Sequence, residues 1–136
     1  MSTGPALVSI LRQGSFLIAS IHTALDDTEM VRFKDDLVAQ IGEHRSRGII
    51  IDVAALDVLD SFGSRTLRNI AEMARLRGAT TVIVGIQPDV AFAMVKLGMG
   101  TGPIETALDL EEGLAYLNSR AGLSVADHRT RMPAGR

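Results

Sequence analysis

Ser61 lies in the run Asp57-Val58-Leu59-Asp60-Ser61-Phe62-Gly63, with Arg65 four residues further on. Two kinds of chemistry suit a hydroxyl in that setting. It can cap a helix, its oxygen accepting a backbone N–H two or three residues on, an interaction worth ~1 kcal/mol. It can also accept a phosphoryl group from a kinase, which adds roughly −1.5 to −2 charge at neutral pH. A phosphate there meets opposed influences. A helix N-terminus favours an anion by ~0.3–1 kcal/mol, and Arg65 can reach it from the same helical face, whereas Asp60 and Asp57 repel it. The two sides are comparable, so phosphorylation is expected to leave the fold intact and to act on whatever docks at this surface. Ser64 and Thr66, close by, are candidate secondary acceptors.

Other residues suggest other chemistry and carry it less far. Asp52 ends the apolar run Gly48-Ile49-Ile50-Ile51-Asp52-Val53, where a receiver-like phosphoacceptor aspartate would stand. Such a site needs a divalent cation held by further acids to offset the phosphoryl charge. The first strands end in Leu11-Arg12 and Ser20-Ile21, which supply no acid. Asp52, Asp57, Asp60 and His22 could form an acid–base set by type, but loop acids usually serve as caps and solvated surface, and no strained nucleophile turn such as Gly-x-Ser-x-Gly accompanies them. Gly98-Met99-Gly100-Thr101-Gly102 follows a helix and lacks a lysine, so it reads as a turn and not a phosphate cradle. With no cysteine, disulfides, thiolate chemistry and cysteine-ligated metal centres are excluded. The histidines His22, His44 and His128 have no metal-ligand spacing. No catalytic residue, metal or cofactor is therefore expected.

At 136 residues the chain has the length of one domain, and its net charge of −2 does not favour a nucleic-acid backbone. No apolar run is long enough to span a membrane, and Met1-Ser2-Thr3-Gly4-Pro5 does not resemble a secretory signal, so a cytoplasmic location is expected. We read residues 5–118 as one domain. Residues 119–136, with Arg120, Arg129, Arg131 and Arg136 against Asp127, read as a flexible tail or as a tether to an acidic partner.

The elements that must position Ser61 follow from hydrophobic spacing. Ala6 to Leu11 and Phe16 to Ile21 form strands joined by a short polar turn containing Gly14. Asp26-Asp27-Thr28-Glu29 forms a capping box ahead of Met30, Phe33, Leu37 and Ile41, which predicts a helix ending near Gly48. The next apolar run is a strand buried on both faces. A second helix fits Gly63 to Arg77, with Ser61 as the residue that would cap it, and Gly78 ends it. Thr80 to Gly85 is a strand, Pro88 opens a helix through Leu97, Ile104-Glu105-Thr106 is a short edge strand, and Leu110 to Leu117 is a last helix. A hairpin followed by alternating helix and strand gives an α/β fold: a mixed sheet with about four helices packed against it. Phe92, Met94, Val95, Leu97 and Met99 hold more apolar groups than one buried helical face requires, and any surplus would serve assembly.

The run Ile50-Ile51-Asp52 through Leu59-Asp60-Ser61-Phe62-Gly63, followed by a helix and Thr81-Val82-Ile83-Val84-Gly85, resembles the STAS domain of anti-sigma-factor antagonists. Within that family, Ala71-Glu72-Met73-Ala74-Arg75-Leu76-Arg77-Gly78-Ala79 and Val84-Gly85-Ile86-Gln87-Pro88 are most similar to the RsbS-type scaffold subunits of the bacterial stressosome. The resemblance covers roughly residues 5–118. It implies a STAS-type mixed sheet and a non-enzymatic, phospho-regulated scaffold that assembles with a sensor-bearing, RsbR-like STAS paralogue. It also implies an RsbT-like switch serine kinase that is sequestered until it phosphorylates Ser61, and a cognate phosphatase that resets the switch. Asp57, Asp60, Phe62, Gly63 and Arg65 would flank the switch. A free-standing antagonist that binds an anti-sigma kinase as a monomer or dimer is the alternative within the family.

Overall fold

The protein is described by a computed structural model over residues 6–98 and 103–131, with side chains as far as Ala121. Met99 to Gly102, the side chain of His128 and the arginines beyond Arg120 lie outside the described residues or side chains. Strand β1 (Val8–Gln13) turns through Gly14-Ser15 into β2 (Phe16–Ile21), the two pairing antiparallel from Gln13↔Phe16 to Val8↔Ile21. Helix α1 (Asp27–His44) then leads to β3 (Gly48–Asp52), α2 (Ser61–Leu76) to β4 (Thr80–Val84), and α3 (Pro88–Lys96) to β5 (Ile104–Ala107), before α4 (Leu110–Arg131). The sheet order is β1-β2-β3-β4-β5, and every pair after the first is parallel. The predicted α/β architecture, with its antiparallel opening and four helices, is the one observed. Among the described residues no helix is long and apolar enough to cross a membrane.

Period-two alternation divides the apolar runs between two layers. Leu17, Ile49, Ile51 and Ile83 face α1, α2 and α3 and meet Phe33, Leu37, Leu67, Ile70 and Val90. Phe16, Ile18, Ile50, Val82 and Val84 face the opposite way and are covered by Leu117 of α4. The parallel strands therefore carry apolar residues at consecutive positions, as strands covered on both sides must. At roughly 1.5–3 kcal/mol for each fully buried large side chain, this two-sided burial holds the strand ends firmly.

Helix boundaries differ from the sequence expectation in three places. Helix α1 stops at His44 because Arg45 takes a left-handed conformation (φ 51°), its N–H returning to Ile41 O, so the chain turns back before Gly48. Helix α2 begins at Ser61 and not at Gly63, for the reason given below. Helix α4 runs on to Arg131, although the apolar spacing that predicts it ends at Leu117.

Candidate functional site

Between β3 and α2 the chain is pinned at each turn. The Asp52 carboxylate accepts from Ala54 N at 2.9 Å, Val53 N donates to Val84 O at 3.0 Å, and Leu56 N donates to Val53 O at 2.9 Å. Val53, Leu56 and Leu59 are buried, while Asp57 and Val58 between them and Asp60 just after are exposed. The loop is thus anchored by apolar side chains and presents acidic ones.

Asp60, and not Ser61, is the N-cap of α2. Its backbone is extended (φ −83°, ψ 179°), its carboxylate accepts from Gly63 N at 2.7 Å, and its carbonyl accepts from Ser64 N at 2.9 Å. Gly63 makes that cap possible: a Cβ there would lie 2.9 Å from Leu59 Cδ1 and 3.2 Å from Asp60 Oδ1. The capping role considered for Ser61 is therefore corrected. Asp60 satisfies the helix end, and Ser61, one residue later, is exposed with its hydroxyl in no hydrogen bond among the described residues.

Its neighbours divide cleanly. Phe62 is half-buried and packs on the core, and Arg65 is exposed one helical turn beyond Ser61. Ser64 and Thr66 are 1% and 4% exposed, and the Thr66 hydroxyl donates to Phe62 O at 2.8 Å. Neither hydroxyl is presented to solvent in the folded domain, which removes the ground for treating them as secondary acceptors. The Ser64 hydroxyl is buried without a partner, and the structure offers no physical account of it. A cavity of about 130 Å³, lined by Leu25, Met30, Leu56, Val58, Leu59 and Gly63 among others, adjoins Asp60 on the α1 side.

A second loop supports the first. Gly85 (φ 77°) sits so close to Ala54 that a Cβ would fall 2.8 Å from the alanine's own Cβ, and Gln87 Nε2 donates to Ala54 O at 2.7 Å. Gln87 occupies the N-cap position of α3 but makes no side-chain cap there, so its amide is available for this crossing. Sequence reasoning singled out Val84-Gly85-Ile86-Gln87-Pro88 without seeing this role. A glycine directly after a strand does signal close backbone approach.

The remaining candidates do not assemble. In register, Asp52 lies between Ser20 and Val84, so neighbouring strands bring no acid beside it, and its carboxylate is engaged by the loop backbone. His22 meets the Ser9 hydroxyl at 3.1 Å and not a carboxylate. Among the described residues no cluster of three or more histidine, aspartate or glutamate side chains could hold a metal ion. The apolar surplus on α3 separates into buried Met94 and exposed Phe92 and Val95, with Leu97 41% exposed.

The chain matches the family model described as STAS domain over residues 8–112. Among curated proteins it is similar to RsbT co-antagonist protein RsbRA of Bacillus subtilis, 30% identical over 89 residues, which covers 65% of this chain and 32% of that protein. The chain thus spans about a third of the length of that relative. Among solved structures it resembles a serine-to-glutamate variant of Moorella thermoacetica RsbS, with TM-score 0.77 and 34% identity, covering 85% of this chain and 98% of that one. It also resembles a chain in the structure of the stressosome, described there as a signal integration and transduction hub, with TM-score 0.70 and 32% identity, covering 83% and 98%.

Proposed function

The chain belongs to the STAS-domain family, and from that premise we propose that it is a phospho-regulated scaffold subunit of a stressosome-like assembly, with Ser61 as its phosphoacceptor. The observation that carries the reading is the exposed, unbonded hydroxyl of Ser61 at the first residue of a helix whose end is already capped by Asp60. A kinase reaches this oxygen without dismantling a cap, so modification spares the roughly 1 kcal/mol such a cap contributes.

The local charges favour a change in docking over a change in fold. Phosphorylation adds roughly −1.5 to −2 charge at the positive end of α2, with Arg65 one turn away and Asp57 and Asp60 opposing it. Attraction and repulsion are of similar size, and the side chains that anchor this end of α2, Leu59, Leu67 and Ile70, are apolar and do not respond to the charge. What changes is the surface a partner meets. We assign that surface to a sequestered RsbT-like serine kinase, released once it has phosphorylated Ser61, with a cognate phosphatase restoring the ground state. A sensor-bearing, RsbR-like STAS paralogue is the assembly partner, in keeping with the similarity to a co-antagonist of that type.

The test combines the protein with an RsbT-like serine kinase, ATP and mass spectrometric mapping. Phosphate is expected on Ser61, and modification elsewhere with Ser61 untouched overturns the assignment. Ser61→Ala is expected to bind the kinase and fail to release it, whereas Ser61→Asp binds it weakly; equal binding by the two removes the switch. Light scattering of the chain mixed with its sensor-bearing paralogue should show a large assembly. A persistently small species would fit the free-standing antagonist instead.

A further inference from the structure

The two ends of the sheet carry opposite charge, and among the described residues the arginines of the basic end form no ion pair. Parallel strands gather all helix N-termini at one end, where Asp26, Asp52, Asp57, Asp60, Asp89 and Asp109 lie. The other end, about 13 Å away along β3 by strand rise, collects arginines. Arg45, Arg47 and Arg77 line a cavity of about 380 Å³ between the ends of α1 and α2. A second cavity of about 150 Å³ shares Arg47 and Gly78 with it and adds Arg120.

These cations are positioned and unspent. The Arg47 backbone is held on both sides, its N–H by Ser15 O at 2.8 Å and its carbonyl by Thr80 N at 3.1 Å. Arg45 is fixed by its left-handed cap, and the Arg77 guanidinium lies over Gly42 of α1. Arginines near helix C-termini ordinarily serve the last-turn carbonyls. Here, among the described residues, none of the four donates a side-chain hydrogen bond to a carbonyl, and the one side-chain bond is from Arg120 to the Tyr116 hydroxyl at 3.4 Å. Among the described residues the ion pairs are Lys34 with Asp35 and Arg75 with Glu72, so neighbouring Glu43 engages none of the cleft arginines. Arg45, Arg47 and Arg77 on one cavity and Arg120 on the adjoining one, with no carboxylate among the described residues lining either, present donors shaped for carboxylates.

We propose that this arginine cleft is a docking site for the acidic switch end of a second copy of the chain, giving head-to-tail association. The complement is on the same molecule. Asp57 is exposed and in no hydrogen bond among the described residues, and it stands with Asp60 on the loop at the opposite end. Because the two surfaces differ, the contact is heterologous and continues into chains or rings, unlike a self-complementary dimer face. Exposed ion pairs are individually weak and screened by salt, so the association is concentration-dependent and strongest at low ionic strength. It does not require the kinase reading, since a chain never phosphorylated stacks in the same way.

Sedimentation velocity of the full chain tests it. At low salt the wild type should grow in size with concentration and revert to monomer at ~0.5 M salt, where the screening length is only a few ångströms. An Arg47→Ala, Arg77→Ala double variant and an Asp57→Lys variant should each weaken self-association ~10-fold or more. Mixed in equal amounts, they should form a dimer that grows no further, since one supplies an intact acidic end and the other an intact arginine end. That capped dimer also reports that both variants fold. A wild type of salt-independent size, or a mixture that stays monomeric, overturns the proposal.

Discussion

The loop from β3 to α2 (53–60) and the loop from β4 to α3 (85–87) leave neighbouring strands at the same end of the sheet, and each enters a helix. In the first, a carboxylate caps the helix and the next residue is an exposed serine. In the second, the N-cap residue Gln87 makes no side-chain cap, Pro88 occupies the first turn, and both Gly85 and Gln87 reach across to Ala54. One loop presents a hydroxyl, and the other holds the presenting loop in place. An exposed side chain at a helix start keeps a reproducible position only if its loop is held, and here the holding comes from a neighbouring loop.

Gly85 is where that division of labour is most easily broken. Its φ of 77° lies in the left-handed region, and an added Cβ would collide with Ala54 at 2.8 Å. Gly85→Ala should therefore lower the unfolding free energy by ~2–3 kcal/mol, the scale of backbone strain at a non-glycine left-handed residue with a clash added. Urea unfolding measures the loss. Hydrogen exchange should show Ala54 and Leu56 amides opening faster than those of α1, since the support acts on the loop first. A drop under 0.5 kcal/mol with unchanged loop protection would mean that the second loop supports nothing.

Asp60→Ala removes the cap from the presenting loop itself. The expected loss is about 1 kcal/mol by the same unfolding measurement, because Gly63 N–H loses its acceptor. The change leaves Gly85 and Gln87 untouched, so Ala54 should stay protected while the first turn of α2 frays. If the loss is instead spread evenly over both loops, they act as one unit and not as holder and held.

Most of the fold was legible because its signals are local. The Asp26 capping box is present as read, with reciprocal bonds of 2.7 and 2.8 Å to Glu29, and the β-branched runs at Ile49 and Val82 are strands. What was not legible depends on competition or distance. Asp60 and Ser61 are adjacent and both good caps, so composition cannot rank them; burial of Leu59 and the bare Cα of Gly63 decide for Asp60. Arg45 in a left-handed turn defies the usual preference for glycine. The bond from Gln87 to Ala54 joins residues 33 apart, and no periodicity reports such a pairing. The strand-to-helix junction that holds the candidate site was thus legible along the chain, while only packing ranks Asp60 above Ser61 as its cap.

The finest distinction concerns Ser61 and Asp60 themselves. Were Ser61 the cap, Ser61→Ala would cost about 1 kcal/mol and any phosphate would arrive at the expense of the helix end. With Asp60 holding Gly63 N–H, Ser61→Ala removes only an exposed hydroxyl, and the expected change in stability is within about 0.5 kcal/mol of zero. Denaturant unfolding of Ser61→Ala and Asp60→Ala side by side checks the assignment, the aspartate variant being the less stable of the two. The reverse order would return the capping role to Ser61 and couple any modification of its hydroxyl to folding. The expected order leaves the serine energetically idle in the unmodified domain, so that its hydroxyl can be altered without disturbing the helix that carries it.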